Sequence, residues 1–471
     1  MVARRSMCTV LLSLIAVVLI LSVVGVQNNH HKRAMDYLEK MMRLKILQIL
    51  YPEQHFTVSN YTDFRFLDPI ANEVFDKFKV LEADPNYVRE NATLFSLVRN
   101  EELYLMLQSI RYVEDRFNKR YHYDWIFAND KNFTDEFKVE VGNLVSGNAT
   151  FVTIPQEYWS YPSFIDQNKA EQTRNYMKKE GIKYGGSESY RFMCRFNSGF
   201  FYKLEEMQNY RYYWRVEPDI KFECDFLEDP FRFMRENNIK YGFAMALHEL
   251  HNTVYGLFEA TKDFFQNIHP DWISKDNHIE YVTQDNQETF NMCHYWSNFE
   301  IGDLEFYRSQ QYEEYFQHLE KLGGFFYERW GDAPIHTFAV SYLLNKSEVH
   351  YFDNTGYYHI PHTQCPRSAD IREERRCTCQ IAGDYNWGSR DSCLPYWYET
   401  HDGQRPPWAP GRRYDTQKAG AKRPERVGKR SYQEEDADET LLVETEIEDV
   451  ELSGDMLGMS DGAPIRQAFA I

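Results

Sequence analysis

The stretch YYWRVEPDIKFECD, residues 212–225, carries two carboxylates two positions apart, Glu217 and Asp219, where an aromatic run that reads as a β-strand gives out. In an open parallel sheet, ligands bind beyond the carboxyl ends of the strands, so acids delivered there can hold a hard divalent cation against a diphosphate. Pro218 between them fixes one backbone torsion. By itself an E-x-D pair is also what an ordinary acidic turn looks like, and its meaning depends on its surroundings. Two more acids, Glu328 and Asp332 in YERWGDAP, offer planar acceptors for sugar hydroxyls, although Asp332 just before Pro334 equally suits the cap of a helix.

The elements that must position these groups alternate. An apolar run at 93–98 precedes helical periodicity over 103–117, and a second strand-like run at 125–128 closes on Asn129-Asp130. A further strand is legible at 210–216. A helix over 304–322 stops at Gly323-Gly324, and Pro334 can open another at its first turn. Strands alternating with helices predict an α/β domain with a mainly parallel central sheet.

Composition sets the partners. A net charge of -19 excludes a nucleic-acid footprint, and an acidic protein that binds a nucleotide diphosphate needs a cation. Residues 8–26 carry no charge; at about 1.5 Å per residue they nearly cross a hydrocarbon layer about 30 Å thick, and they read as an uncleaved transmembrane anchor. That run is longer than a signal-peptide core and lacks a small-residue cleavage site after it. Arg4 and Arg5 before it are balanced by Lys32 and Arg33 after it, so flanking charge does not set the orientation.

Sequons at Asn60, Asn91, Asn132, Asn148 and Asn345 suit a lumenal chain. Seven cysteines follow the span, four of them at 365, 377, 379 and 393; without paired C-x-x-C spacing they predict disulfides rather than a zinc site. The expected organisation is a cytoplasmic tail at 1–7, anchor at 8–26, stem at 27–85 with a helix over 34–50, a catalytic domain at 86–402, and a basic-then-acidic tail at 403–471 with the composition of disorder.

Several segments raise a specific resemblance. NATLFSLVRN (91–100), SIRYVEDRFN (109–118), IPQEYWSYPSFIDQNKA (154–170), SYRFMCRFNSGFFY (189–202), NMCHYWSNFEI (291–301), GGFFYERWGDAPIH (323–336) and FDNTGYYHIP (352–361) occur in order, and together with residues 212–225 they resemble the fungal α-1,2-mannosyltransferases of glycosyltransferase family 15. The resemblance implies a GT-A-type nucleotide-sugar transferase fold, a single-pass type II protein of the Golgi membrane, GDP-mannose as donor, a mannosyl glycan on N-linked or O-linked glycoproteins as acceptor, Mn2+ as cofactor, and retention of configuration.

The same resemblance assigns residues. Glu217 and Asp219 stand in for the D-x-D pair of other GT-A enzymes, with His359 as a further metal ligand. Glu300 is the carboxylate at the anomeric carbon, and Tyr190 is its helper. Asp219 also serves the nucleotide, as does Arg99 at the end of the first strand. A neutral imidazole beside hard oxygens favours a transition ion such as Mn2+ over Ca2+. Two other classes stay open: a catalytically inactive lectin-like or assembly subunit of a mannosyltransferase complex, and a glycoside hydrolase, which would use paired carboxylates without a nucleotide. Nothing in the sequence chooses between a covalent glycosyl-enzyme and attack on the face the phosphate leaves.

Overall fold

The protein is described here by a computed structural model, in which residues 87–401 are described. The expected anchor at 8–26, the stem at 27–85 with its helix, the tail from 403 and the sequon at Asn60 lie outside the described residues. Among the described residues no helix is long and apolar enough to cross a membrane.

In chain order the strands are β1 (Ala92–Leu97), β2 (Asp124–Asn129), β3 (Ala149–Thr153), β4 (Tyr212–Arg215), β5 (Ile220–Phe222), β6 (Tyr241–Phe243), β7 (Ala246–His248), β8 (Thr283–Gln284), β9 (Thr289–Phe290), β10 (Cys293–Tyr295), β11 (Glu300–Asp303), β12 (Val349–Tyr351), β13 (Tyr357–His359) and β14 (His362–Thr363). The longer helices are α1 (Leu103–Val113), α2 (Asp135–Gly142), α3 (Gln167–Lys179), α4 (Glu188–Gly199), α5 (Gln310–Leu322) and α6 (Asp332–Leu343).

Seven strands form the main sheet in the order β12-β6-β11-β4-β1-β2-β3. The pairings of β1 with β2 and β4, of β2 with β3 and of β6 with β12 are parallel, while β11 runs antiparallel to both of its neighbours. The sheet is therefore mixed, as expected in its majority and not in this one strand. That strand matters to function. Reversal of β11 brings its first residue, Glu300, to the edge where β4 and β6 end, with Ile301 opposite Trp214 and Glu300 opposite Phe243.

Successive strand residues feed two cores, because side chains alternate across a sheet. Leu94, Trp125, Phe127 and Trp214 enter one, and Phe95, Ile126, Ala128 and Tyr213 the other. The expected strands at 93–98, 125–128 and 210–216 correspond to β1, β2 and β4 within a residue or two. The helix expected over 304–322 is two pieces, Leu304–Tyr307 and α5, since Ser309 caps the second by accepting from the Tyr312 amide. Gly323 ends α5 at φ 71°, a left-handed conformation that glycine adopts without strain.

The cysteines pair as Cys224–Cys377, Cys293–Cys393 and Cys365–Cys379, and Cys194 remains a buried thiol. The first of these ties the start of the segment after β5 to residues well beyond β13. A separate three-stranded sheet, in the order β14-β13-β5, lies next to this link in the sequence. Asn91, Asn132, Asn148 and Asn345 are all exposed.

Candidate active site

At the end of β4 the backbone is fixed to its neighbour by the Val216 amide, which donates to the Phe95 carbonyl at 2.8 Å. Glu217 follows, and Asp219 takes φ 58°, a left-handed conformation that Asp tolerates better than most side chains. The chain then reverses into β5, whose first residue, Ile220, pairs with His359 of β13. Glu217, Asp219 and His359 therefore share one corner at the carboxyl edge of the sheet. Burial pushes the His359 imidazole below its usual pKa, and the charge of Glu217 opposes that shift. Its Nδ1 lies 3.2 Å from the Ile360 carbonyl oxygen, which can only accept. The proton accordingly sits on Nδ1, and Nε2 keeps a lone pair for a metal.

Among the described residues, the one set of three ligand atoms within 4.8 Å of one another is that of His248, Cys293 and Cys393. Two of those are already joined as a disulfide, so that set is no metal site. The corner at Glu217 has the right donors, two hard oxygens and one imidazole nitrogen, without being closed on an ion.

Beneath the corner lies a buried chain of charges. Arg215, 8% exposed, donates to Glu217 and, at 2.6 Å, to Asp332 Oδ2, which also accepts from Ser297 at 2.8 Å. Burial opposes the Arg215 charge, but Glu217, Asp332 and Glu300 together hold it firmly protonated. Burial alone would raise the Asp332 carboxyl; Arg215 and His336 outweigh it and hold the group below its ordinary value. Asp332 thus neither caps α6 nor faces an open pocket. Glu328 is likewise committed: it accepts from the Gly256 amide at 3.1 Å and from the Trp330 indole at 2.7 Å.

Glu300 is 1% exposed. Its Oε1 accepts from the Tyr213 hydroxyl at 2.6 Å, and its Oε2 from Tyr241 at 3.1 Å and His336 Nδ1 at 3.0 Å. Tyr190, on the first turn of α4, is half-buried, with its ring stacked on Tyr184 at 4.5 Å and the Arg329 guanidinium 5.1 Å above it. Burial lifts its phenol well above the usual value, so it stays protonated. Arg99 is exposed at the end of β1 and donates to Ser189 at 2.7 Å, which places it one residue along the chain from Tyr190. Glu102, in the turn beside Arg99, feels the charge of Glu217. Arg99, Tyr190, Glu217 and Glu300 thus all lie at the same edge of the sheet, whereas the acceptor role considered for Glu328 and Asp332 is not supported.

Two members of the site went unnoticed in the sequence, although each had a signal. Arg215 precedes Glu217 by two, the strand period, which places both on one face. His336 follows Asp332 by four, one helical turn, which does the same on α6.

Over residues 53–402 the sequence matches the family described as glycolipid 2-alpha-mannosyltransferase. The chain belongs to that family. Glycolipid 2-alpha-mannosyltransferase 1 of Candida albicans is 49% identical over 314 residues, covering 67% of this chain and 72% of that protein. Alpha-1,2 mannosyltransferase KTR1 of Saccharomyces cerevisiae is 47% identical over 324 residues, 68% of this chain and 82% of its own. Among solved structures, core-mannan synthase A of Aspergillus fumigatus, in a Mn/GDP form, is 36% identical with a TM-score of 0.64 over 69% of this chain and 90% of its own. The mannosyltransferase Ktr4p of S. cerevisiae in complex with GDP is 33% identical with the same TM-score of 0.64, over 71% and 92%. The mixed α/β sheet described above is thus the fold of this glycosyltransferase family.

Proposed function

We propose that this member of the glycolipid 2-alpha-mannosyltransferase family transfers mannose from GDP-mannose to the 2-hydroxyl of a mannosyl acceptor, on N-linked or O-linked glycans of glycoproteins, with Mn2+ and with retention. The observation that carries it is the corner at the end of β4, where Glu217 and Asp219 meet a neutral His359 whose Nε2 is free for a metal. These three would hold Mn2+, which when bound neutralises charge on the diphosphate as GDP departs. The Mn/GDP form of core-mannan synthase A supports that reading.

Arg99, exposed at the neighbouring strand end, contacts the GDP moiety. Arg215 keeps Glu217 oriented through their ion pair. Glu300 supplies a fixed negative charge near the anomeric carbon, where positive charge develops in the transition state. Its 1% exposure and three donors favour this electrostatic role over covalent attack, because a sugar carbon reaches the carboxylate only if Tyr213, Tyr241 or His336 withdraws. Tyr190, protonated and beside Arg329, is placed to help the acceptor or the leaving phosphate.

The anchor read at 8–26 and the exposed sequons support a type II protein of the Golgi membrane with this domain in the lumen. The test is transfer from GDP-mannose to α-methyl mannoside by the detergent-solubilised full chain, with Mn2+ or with chelator. Chelator-sensitive product with an α-1,2 linkage is the expected result, and it should disappear in His359→Ala while the variant stays folded. Binding of GDP-mannose without product under any condition would point instead to an inactive subunit. Azide restoring turnover to Glu300→Ala would reverse the electrostatic assignment in favour of a covalent nucleophile.

A further inference from the structure

Both ring nitrogens of His336 face acceptors. Nε2 lies 3.0 Å from the main-chain carbonyl oxygen of Asn197, on α4, and a carbonyl oxygen cannot donate, so Nε2 carries a proton. Nδ1 lies 3.0 Å from Glu300 Oε2. Glu300 in turn receives the hydroxyls of Tyr213 and Tyr241, phenols that burial holds firmly protonated. A carboxyl group already receiving two donors is best matched as the carboxylate, which leaves the second proton on Nδ1. His336 and Glu300 have 0% and 1% exposed side chains, so the contact is shielded from bulk solvent.

We propose that His336, as an imidazolium clamped between the Asn197 carbonyl and Glu300, is a positioning residue for transfer: it holds the Glu300 carboxylate oriented toward the anomeric carbon. This rests on the electrostatic reading of Glu300 given above.

The surroundings of the ring support the charged form. Asp332, one turn earlier on α6, adds its attraction to that of Glu300; Arg215 and burial oppose it, and the net effect raises the imidazole above its usual value. The rings of Tyr307 and Tyr312 flank it at 5.2 and 6.2 Å, and that of Phe201 at 6.4 Å. Among the described residues, no charged side chain other than Glu300 is hydrogen-bonded to the ring. Without the imidazolium, Glu300 would keep only the two tyrosine hydroxyls and lose the charged partner that fixes its Oε2. The hydrogen bonds of His336 run to Asn197 and Glu300 and not to Glu217, Asp219 or His359, so its loss should leave donor binding intact.

The test measures transfer against pH for the full chain, as wild type, His336→Gln, Glu300→Gln and the double variant, with Mn2+-GDP binding and thermal melting checked in each. The expected result for His336→Gln is a kcat lowered by about tenfold or more with KM for GDP-mannose little changed, and loss of the alkaline limb that deprotonation of the imidazolium imposes on the wild type. Glu300→Gln should lose more, and the double variant should match it rather than add a further loss. Additive losses, or wild-type kcat and an unmoved alkaline limb in His336→Gln, would overturn the proposal while leaving Glu300 in place. Wild-type activity in Glu300→Gln would overturn the underlying reading and this proposal with it. If His336→Gln fails to fold, nitrogen-15 histidine labelling of the wild type decides: a slowly exchanging imidazolium near pH 7.5 supports the clamp, and a neutral tautomer at every buried histidine removes it.

Discussion

Arg215 links the metal corner to the carboxylate layer below it, and its importance follows from what its removal would strand. Arg215→Met leaves Glu217 and Asp332 without their shared cation, and an uncompensated buried pair costs about 3–5 kcal/mol. Urea unfolding should record that loss, and Mn2+ should restore part of it by substituting its own charge at Glu217. At this scale the sequence offered candidates and was silent about their surroundings. Glu217, Asp219, His359, Arg99, Tyr190 and Glu300 all stand in the segments that carry the family resemblance. The burial of Glu300 beneath tyrosines was not, because it depends on a reversed strand and on a helix contributed by residues over thirty positions downstream. Glu328 makes the same point: an acid beside an aromatic reads as a sugar contact, and only the fold shows it holding the Gly256 amide and the Trp330 indole.

Strand β11 explains how the elements serve the site. Gly302 lies opposite Tyr213, and a Cβ there would stand 2.6 Å from the Tyr213 ring and 2.9 Å from that of Tyr307. Gly302→Ala should therefore cost about 1–3 kcal/mol by overpacking and should lower kcat by displacing the hydroxyl that Glu300 accepts. A melting curve and a transfer assay on the same sample check both halves. On the edge strand β12, His350 packs between Phe233 and Phe352 at 4.6 and 4.8 Å, and burial pushes its imidazole down from 6.5 to about 4. The unfolded chain thus binds this proton first as pH falls. Stability from this group is level above the unfolded value, declines between 6.5 and about 4, and is level again below. His350→Gln should flatten that decline, removing about 2–3 kcal/mol of the difference in unfolding free energy between pH 7 and pH 4. Strand positions were readable from apolar runs; the direction of β11 was not, since alternation of side chains is the same either way.

Over the molecule as a whole, an acidic chain pairs buried anions with cations, as Arg215 does for Glu217 and Asp332, and on the function proposed above this leaves the corner at Glu217 and the exposed Arg99 to meet an anionic donor. Cysteine number and context were enough to expect disulfides, but the partners of Cys224 and Cys293 lie 153 and 100 residues away, and spacing alone encodes no such pairing. The four described sequons fall on exposed asparagines.

The remaining described cysteine gives the fold a stopwatch. Cys194 is 0% exposed on α4, and burial raises its thiol far above the range in which it reacts. An alkylating reagent added without reductant can mark Cys194 only when the core has opened, so the time course of modification mapped to that peptide should track unfolding. In wild type it should be slow. In Arg215→Met and Gly302→Ala it should quicken, and bound Mn2+-GDP should slow it again by favouring the closed state. A thiol without a disulfide partner among the described residues thereby becomes an internal clock for how long the catalytic domain stays intact.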